Sequence, residues 1–437
     1  MARGLGKSGA DLDVLLFAVS VGLARWLRAH AWQCGAVGRR QYNTYVMACL
    51  LIEPSDFSKP LYGAGCSAIA DSAIRNLGTN LKLVGVTSDG GIGRWTKLMR
   101  DGLEFDFLPV IHAERVAAPR FLSSTVEFTI AFAKHLPALR EAEVRAVLTQ
   151  AYTVLWLLTY FSRGWDICFY YPGLANPLVV GRYPRLGRLL EGLYDRIHAR
   201  AIGRATIAFA PASRAIVEQY NGRLRRLGVN KQVRYLPTAV DLETFCPRPM
   251  DQCRSQLGLP ANALVFTFVG RLAAVKGIPL LLEALRCVHD QEASALLVLV
   301  GDGEQCEELQ RLAGDKGLGE RVRFLGRCPP SRVALAIGSA NACVVGSFQE
   351  GFSVAMVEEL ACGRPIVSTP VSGADEMIIE GQNGYVVKSR DPAEFARRML
   401  AAARLPEAGR VSRGLAETRY SERKLWQQIA AEWPPLH

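Results

Sequence analysis

Residues 347–367, SFQEGFSVAMVEELACGRPIV, constrain this chain more than any other stretch. They predict a strand end, a tight glycine-containing loop, a short helix, a Gly-Arg-Pro turn and a second strand. Ser353 is placed to cap the helix, and Val354, Val357 and Ala361 recur at helical spacing. Gly363 suits the helix C-terminus, and Pro365 stops the helix from continuing. Glu350 then falls in the loop before the helix and Glu358 more than one turn inside it. A helix N-terminus at that point offers free backbone N–H groups and a positive dipole end, which suit a phosphate. A carboxylate accepts two hydrogen bonds in a fixed plane, so two carboxylates beside such a site suit sugar hydroxyls. The stretch points to a sugar carried on a phosphate.

The same α/β alternation fills the rest of the chain. Residues 45–52 are continuously apolar, as in a strand buried on both faces of a parallel sheet. A Pro-containing loop, Gly63-Ala64-Gly65-Cys66-Ser67, a helix to Leu77 and a strand at 81–87 follow, which is a Rossmann-like βαβ unit. Glycine at 65 would let backbone approach a ligand closely, and a plain structural turn is the alternative. Residues 103–111 are the next strand, 128–161 are predominantly helical, and 166–171 form a strand that ends in Tyr-Pro-Gly. A helix over 184–204, a strand over 205–210 and a helix capped by Ser213 complete this half. Pro247, Pro249 and Pro260 mark a linker near 241–260.

The second half restarts with a strand at 264–270, then Arg271-Leu-Ala-Ala-Val-Lys276-Gly277 and a helix to about residue 289. Arg271 leaves a strand's carboxyl end and Lys276 precedes a helix N-terminus, so both cations and the helix dipole can converge on one anion. Arginine supplies a planar fork and lysine a point charge. Further strands are expected at 296–300, 322–326, 342–345, 366–368 and 384–387.

A chain of 437 residues is too long for one core and suits two domains of roughly 200 residues each. Eleven scattered cysteines, with no Cys-x-x-Cys pair, argue for reduced thiols in the cytosol. They argue equally against a disulfide framework and a zinc site, so no metal ligands are assigned. The formal charge of +11 implies attraction to anions: nucleotide-sugars, anionic lipid or nucleic acid. The basic residues form no nucleic-acid-binding fingerprint, and no nucleic-acid partner is expected.

No apolar run reaches the roughly 18–20 residues that a membrane span needs. The longest are 14–24 and 151–161. Asp11, Asp13, Arg25 and Arg28 around the first run argue against a secretory leader. Residues 1–43 are read as an N-terminal extension, either an extra helix or a poorly ordered segment. In the helix at 184–204, Leu186, Leu190, Leu193, Ile197 and Ala201 form one stripe. Arg182, Arg185, Arg188, Arg196 and Arg200 flank it. Such a helix either packs on the sheet with its arginines exposed or lies on an anionic membrane.

Glu350-x7-Glu358 inside EGFSVAMVEELACGRPIV, together with Gly270-Arg271-Leu-x3-Lys276-Gly277, resembles the donor signature of the retaining family-4 glycosyltransferases, the glycosyl transferases group 1. The resemblance covers about 45–433, most strongly 264–387. It implies an α/β chain of GT-B fold, two Rossmann-like domains with parallel sheets facing a central cleft. The implied division is 1–43 extension, 44–245 acceptor domain, 246–415 nucleotide-sugar domain and 416–437 a helix crossing back to the first domain. It also implies a hexose moved with retention from a nucleotide-diphosphate sugar, a co-substrate, with no other cofactor and no metal. Arg271 and Lys276 would hold the diphosphate. Glu350 and the Gly351-Phe352-Ser353 backbone would hold the sugar, and Glu358 the ribose. Gly65 and Arg327 would complete the donor site, with Arg271, Lys276 and Glu350 as the catalytic set. The acceptor would be a glycan, a lipid-linked or a small molecule, used in the cytoplasm or at the inner membrane face. The chain departs from the family where Tyr170 and Tyr171 replace a histidine near the donor sugar. A GT-B binding subunit without catalysis, and a related epimerase or phosphorylase, are the competing readings.

Overall fold

The computed structural model describes residues 48–59, 61, 66–117, 124–162, 164–171, 174 and 184–436. The first sheet contains β1 (Cys49–Asp56), β2 (Leu81–Thr87), β3 (Thr96–Arg100), β4 (Leu103–His112), β5 (Ala146–Thr149), β6 (Asp166–Tyr170), β7 (Ile207–Ala210) and β8 (Arg234–Tyr235). Their order is β3-β4-β2-β1-β5-β6-β7-β8, parallel except at the β3–β4 edge. The second sheet contains β9 (Leu264–Val269), β10 (Ala295–Val300), β11 (Val322–Gly326), β12 (Ala342–Val345), β13 (Ile366–Ser368) and β14 (Gly384–Val386). It is wholly parallel, in the order β11-β10-β9-β12-β13-β14. Parallel strands need helical crossovers that cover both faces of the sheet, so their sequences are continuously apolar. Leu50, Leu51 and Ile52 in β1, and Leu297, Val298 and Leu299 in β10, are fully buried.

The covering helices include α1 (Cys66–Leu77), α2 (Tyr152–Phe161), α3 (Pro184–Arg204), α4 (Arg214–Arg226), α5 (Ile278–His289), α6 (Val354–Ala361), α7 (Ala408–Arg419) and α8 (Glu422–Glu432). In the first sheet the chain runs outward through β2 and β4, then returns to place β5 on the other side of β1. In the second it runs outward through β10 and β11, then returns to place β12 beside β9. Each reversal opens a crevice at the carboxyl ends of the strands, which is where open α/β sheets bind ligands. The loops after β9 and β12, which carry Arg271, Lys276 and Glu350, flank the reversal of the second sheet. Those after β1 and β5 flank that of the first.

The last helix belongs to the first domain's core. Leu425, Trp426, Ile429 and Trp433 pack with Ile69, Ile74 and Leu83, and the Trp426 indole donates to Ser72 Oγ at 2.9 Å. The chain therefore passes between the domains twice. At the passage Val240 N donates to the Tyr420 carbonyl at 2.8 Å.

Three sequence readings need correction. The region 128–161 is not helical throughout, because β5 interrupts it and lies at the centre of the sheet, between β1 and β6. A strand of four residues, Ala-Val-Leu-Thr, between helices carries no period that separates strand from helix. The Pro54 loop is part of β1, which continues to Asp56 with a register shift after Ile52. The missing N–H of Pro54 is tolerated there because the regular ladder has already broken. The buried face of α3 is Tyr194, His198, Ala199, Ala201 and Ile202; among the described residues of the predicted stripe only Ala201 is fully buried, Leu190 and Ile197 are half-buried and Leu193 is exposed. Tyr194 and His198 enter an aromatic cluster with Tyr152 and Trp156 of α2. The Trp156 indole donates to His198 Nδ1 at 3.0 Å, and burial pushes this imidazole down to about 3, so it is neutral. The apolar 151–161 run is likewise core: Val154, Leu155, Leu157 and Leu158 are buried. Residues 1–43, Gly65 and Arg182, with the side chains of Arg185, Leu186 and Arg188, lie outside the described residues. Among the described residues no helix is long and apolar enough to cross a membrane.

Candidate active site

The predicted helix forms as α6. Ser353 has extended backbone, and its Oγ accepts from Met356 N at 3.4 Å. At the other end Gly363 takes φ +68°, which lets Gly363 N and Arg364 N reach the carbonyls of Leu360 and Glu359. Val354, Ala355 and Glu358 share one face of α6, and that face lines a cleft of ≈ 630 Å³. Arg271, Arg327 and the Gly301–Gly303 loop line it from the second domain. Asp71 and Arg75 of α1, with Glu422 of α8, close it from the first. The first N–H groups of α6 have no partner inside the helix, so the cleft receives a positive helix end. Burial pushes the Glu358 carboxyl up to about 8.

Lys276 and Glu350 form a pair beside this cavity. The ammonium lies 2.6 Å from Glu350 Oε1 and 2.8 Å from Oε2, and Ser347 Oγ donates to Oε1 at 2.6 Å. The side chains are only 22% and 12% exposed. An ammonium has three donors and a carboxylate about four acceptor positions. Lys276 thus keeps one N–H, and Glu350 about one acceptor position on Oε2, beyond these contacts. One backbone bond joins the two loops, and the Arg390 side chain braces the Glu350 loop. Phe348 N donates to Val275 O at 2.8 Å, and Arg390 donates to Gly346 O at 2.6 Å.

Arg271 is exposed in the cleft, 3.7 Å from Glu304, and Arg327 stands in its wall. Gly351 is exposed at the loop apex and Ser353 is buried by its capping role. The Phe352 side chain turns into the second core, 6.1 Å from the Tyr420 ring, so only its backbone can meet a ligand. Tyr170 is also structural: it is buried and its hydroxyl donates to the Leu236 carbonyl at 3.2 Å.

Glu359, next to Glu358, points the other way. It is fully buried, and neither carboxyl oxygen has a hydrogen-bond partner among the described residues. Desolvation, with Glu358 and Glu350 nearby, holds its carboxyl well above the usual range and therefore neutral. An unsatisfied buried polar group costs about 1–3 kcal/mol. Glu359→Met is accordingly expected to stabilise the protein by about that amount, as read from denaturant unfolding. An equal or lower midpoint would show that the carboxyl has a stabilising contact.

Several lining groups escaped the sequence reading. Arg75 donates to both Asp71 and Glu422, and Arg100 donates to Asp71 at 2.7 Å. The Asp71/Arg75 spacing is an ordinary i, i+4 helix pair, and nothing local ties it to a residue 347 positions away. At the reversal of the first sheet, Gln150 N donates to Glu53, a buried carboxyl pushed up to about 8 by desolvation. A lone carboxylate ending the apolar run Cys49–Ile52 was the available signal.

The sequence model of one family, glycosyl transferases group 1, matches residues 250–411. The match spans less than half of the chain. D-inositol 3-phosphate glycosyltransferase 1 of Catenulispora acidiphila is 37% identical over 180 residues, 39% of this chain and 43% of the relative. The chain spans about half the length of the curated relatives it matches. Among solved structures, sucrose-phosphate synthase of Thermosynechococcus elongatus superposes with a TM-score of 0.68. The identity is 20%, over 89% of this chain and 99% of that one. HepE of Anabaena, in complex with UDP and glucose, superposes with a TM-score of 0.64 at 18% identity, over 88% and 98%. With its two facing parallel-sheet domains, the chain has the GT-B fold, and Arg271, Arg327 and Glu358 line the cleft between them.

Proposed function

We propose that this protein transfers a hexose from a nucleotide-diphosphate sugar to an acceptor hydroxyl, with retention at the anomeric carbon. The observation that carries this reading is that Arg271, Glu358 and the first turn of α6 line one cleft, while Lys276 and Glu350 pair in the loops that precede α5 and α6. Arg271 and the third N–H of Lys276 hold the diphosphate. Glu350 Oε2 takes a hydroxyl of the sugar, and Glu358 takes the ribose. Breaking the anomeric bond leaves charge on the diphosphate, and the preorganised cations and helix N–H groups stabilise it. HepE in complex with UDP and glucose supports a uridine nucleotide as the first donor to test.

Glu358→Gln is expected to lose about 1–3 kcal/mol of donor-related stabilisation, the scale of one unsatisfied partner. Ribose hydroxyls donate to the ionised carboxylate, so binding competes with protonation of a group that titrates at about 8. UDP affinity should therefore rise with pH up to about 8 and level off above it, and Glu358→Gln should flatten that slope. Calorimetric titration across this range decides it; unchanged affinity in the variant would remove Glu358 from the donor site. Turnover is also expected to survive excess EDTA, and activity lost to the chelator and restored by Mg²⁺ would overturn the charge assignment.

The acceptor belongs to the first domain in this reading, as a glycan, a lipid-linked or a small molecule. For a lipid-linked acceptor, exposed Leu193, Arg196 and Arg200 on α3 are the surface that would meet an anionic bilayer. Salt-sensitive sedimentation with phosphatidylglycerol vesicles, weakened by Arg196→Gln with Arg200→Gln, is the expected result. Failure to sediment with those vesicles would favour a soluble acceptor.

A further inference from the structure

A second crevice, of ≈ 460 Å³, lies between the domains next to the place where the chain passes between them twice. Its walls come from Arg214 and Tyr235 of the first domain, Glu376 of the second, and Arg419, Tyr420 and Lys424 of the returning segment. Three cations thus face one carboxylate, and that carboxylate is already occupied. Glu376 Oε1 accepts from Arg214 N at 2.8 Å, and Oε2 accepts from the Tyr235 hydroxyl at 2.7 Å. The Arg214 guanidinium lies over the Tyr235 ring, 4.2 Å from its centroid. The buried Tyr420 side chain lies in the wall beside Arg419.

We propose that this crevice binds a small soluble phosphate-bearing anion, held between Arg214 of the first domain and Arg419 and Lys424 of the returning segment. Two guanidinium forks suit the paired oxygens of a phosphate, and a doubly charged anion matches the excess of cations over carboxylate. The volume leaves room for more than a bare phosphate, as in a phosphate ester of a small polyol. Because its contacts belong to both domains, the anion favours the relative placement of domains in which all of them are met. It acts on the donor cleft through that placement, without touching the groups assigned to the donor.

The test is thermal unfolding and calorimetric titration of the full chain with inorganic phosphate and with glycerol 3-phosphate, against chloride at matched ionic strength. A saturable rise of the midpoint over chloride is expected for both. Arg419→Gln with Lys424→Gln changes two exposed side chains and should weaken binding of both probes by at least about tenfold. Arg271→Gln, in the donor cleft, should leave it intact. Phosphate binding lost with Arg271→Gln but kept in the crevice variant would place the anion in the donor cleft and overturn the proposal. No midpoint rise beyond chloride would overturn it as well. Phosphatidylglycerol vesicles replace the soluble probes in a final arm. A shift from vesicles with none from the soluble probes would assign the site to a lipid headgroup and refute the soluble ligand. If a nucleotide fails to bind the donor cleft while phosphate binds here, the proposed function falls and this site stands.

Discussion

Lys276→Met is expected to lower kcat/KM for the nucleotide-sugar by about 100- to 1,000-fold, the scale for removing one preorganised donor to developing charge. The loss should fall mainly on kcat, because the charge that Lys276 meets grows as the anomeric bond breaks. The substitution also leaves Glu350 with Ser347 as its only hydrogen-bond partner among those described above. That carboxylate is partly exposed, so the stability cost should stay below the about 3–5 kcal/mol typical of a fully buried broken pair. Lys276→Arg keeps the charge but changes its reach, and should recover part of kcat. Steady-state kinetics beside a denaturant curve separate the two effects. Full activity in a folded Lys276→Met protein would mean that Lys276 does no more than hold the Glu350 loop.

Gly277→Ala is expected to be the most damaging of the small substitutions. Gly277 sits at φ +59°, where a side chain is already strained. A Cβ there would fall on the carbonyl oxygen of Gly346, far inside contact distance and against backbone that cannot swing away. The Lys276 turn and the Glu350 loop would have to separate, undoing the contacts that pair the two side chains. A loss of about 3–5 kcal/mol is expected, together with donor binding. Gly258 is the control: its φ is +66°, yet nothing lies within 4 Å of its Cβ position. Gly258→Ala should cost only about 1–2 kcal/mol, the backbone term alone. Equal effects at the two positions in urea unfolding would show that loop contact contributes nothing.

The legible parts of this site are those whose cause is local. Ser353 caps α6 because a side-chain oxygen three residues ahead of an N–H is a short-range matter, and Gly363 ends it for an equally short-range reason. The apolar strands were visible because both faces of a parallel sheet are covered. Arg271 and Lys276 were visible because they lie in the short stretch between a strand end at Val269 and a helix start at Ile278. The pairing of Lys276 with Glu350 was not, since it joins loops 74 residues apart and is set by the β9–β12 adjacency. Phe352 sits inside the motif but faces Tyr420, a residue brought near only when the chain returns. Central strand β5 was lost inside a helical stretch because a strand of four residues has no period. The crevice at Tyr420 draws on α4, β8, Glu376 and the last two helices, and no single window of sequence contains it.

The double passage of the chain has a mechanical consequence. A single linker would let one domain bend, twist and slide against the other. Here the second passage is tied to the first by Val240 N–H to the Tyr420 carbonyl and by the parallel bridge between Val240 and Ser421. A two-stranded ribbon flexes readily across its width and resists rotation about its length. The mouth of the cleft can therefore widen or narrow as a jaw does, with the arc measured from Val240, while shear between its two lips is suppressed. Groups far from that pivot travel most, whereas Arg75 and Glu422, both carried by the first domain, move together throughout the swing.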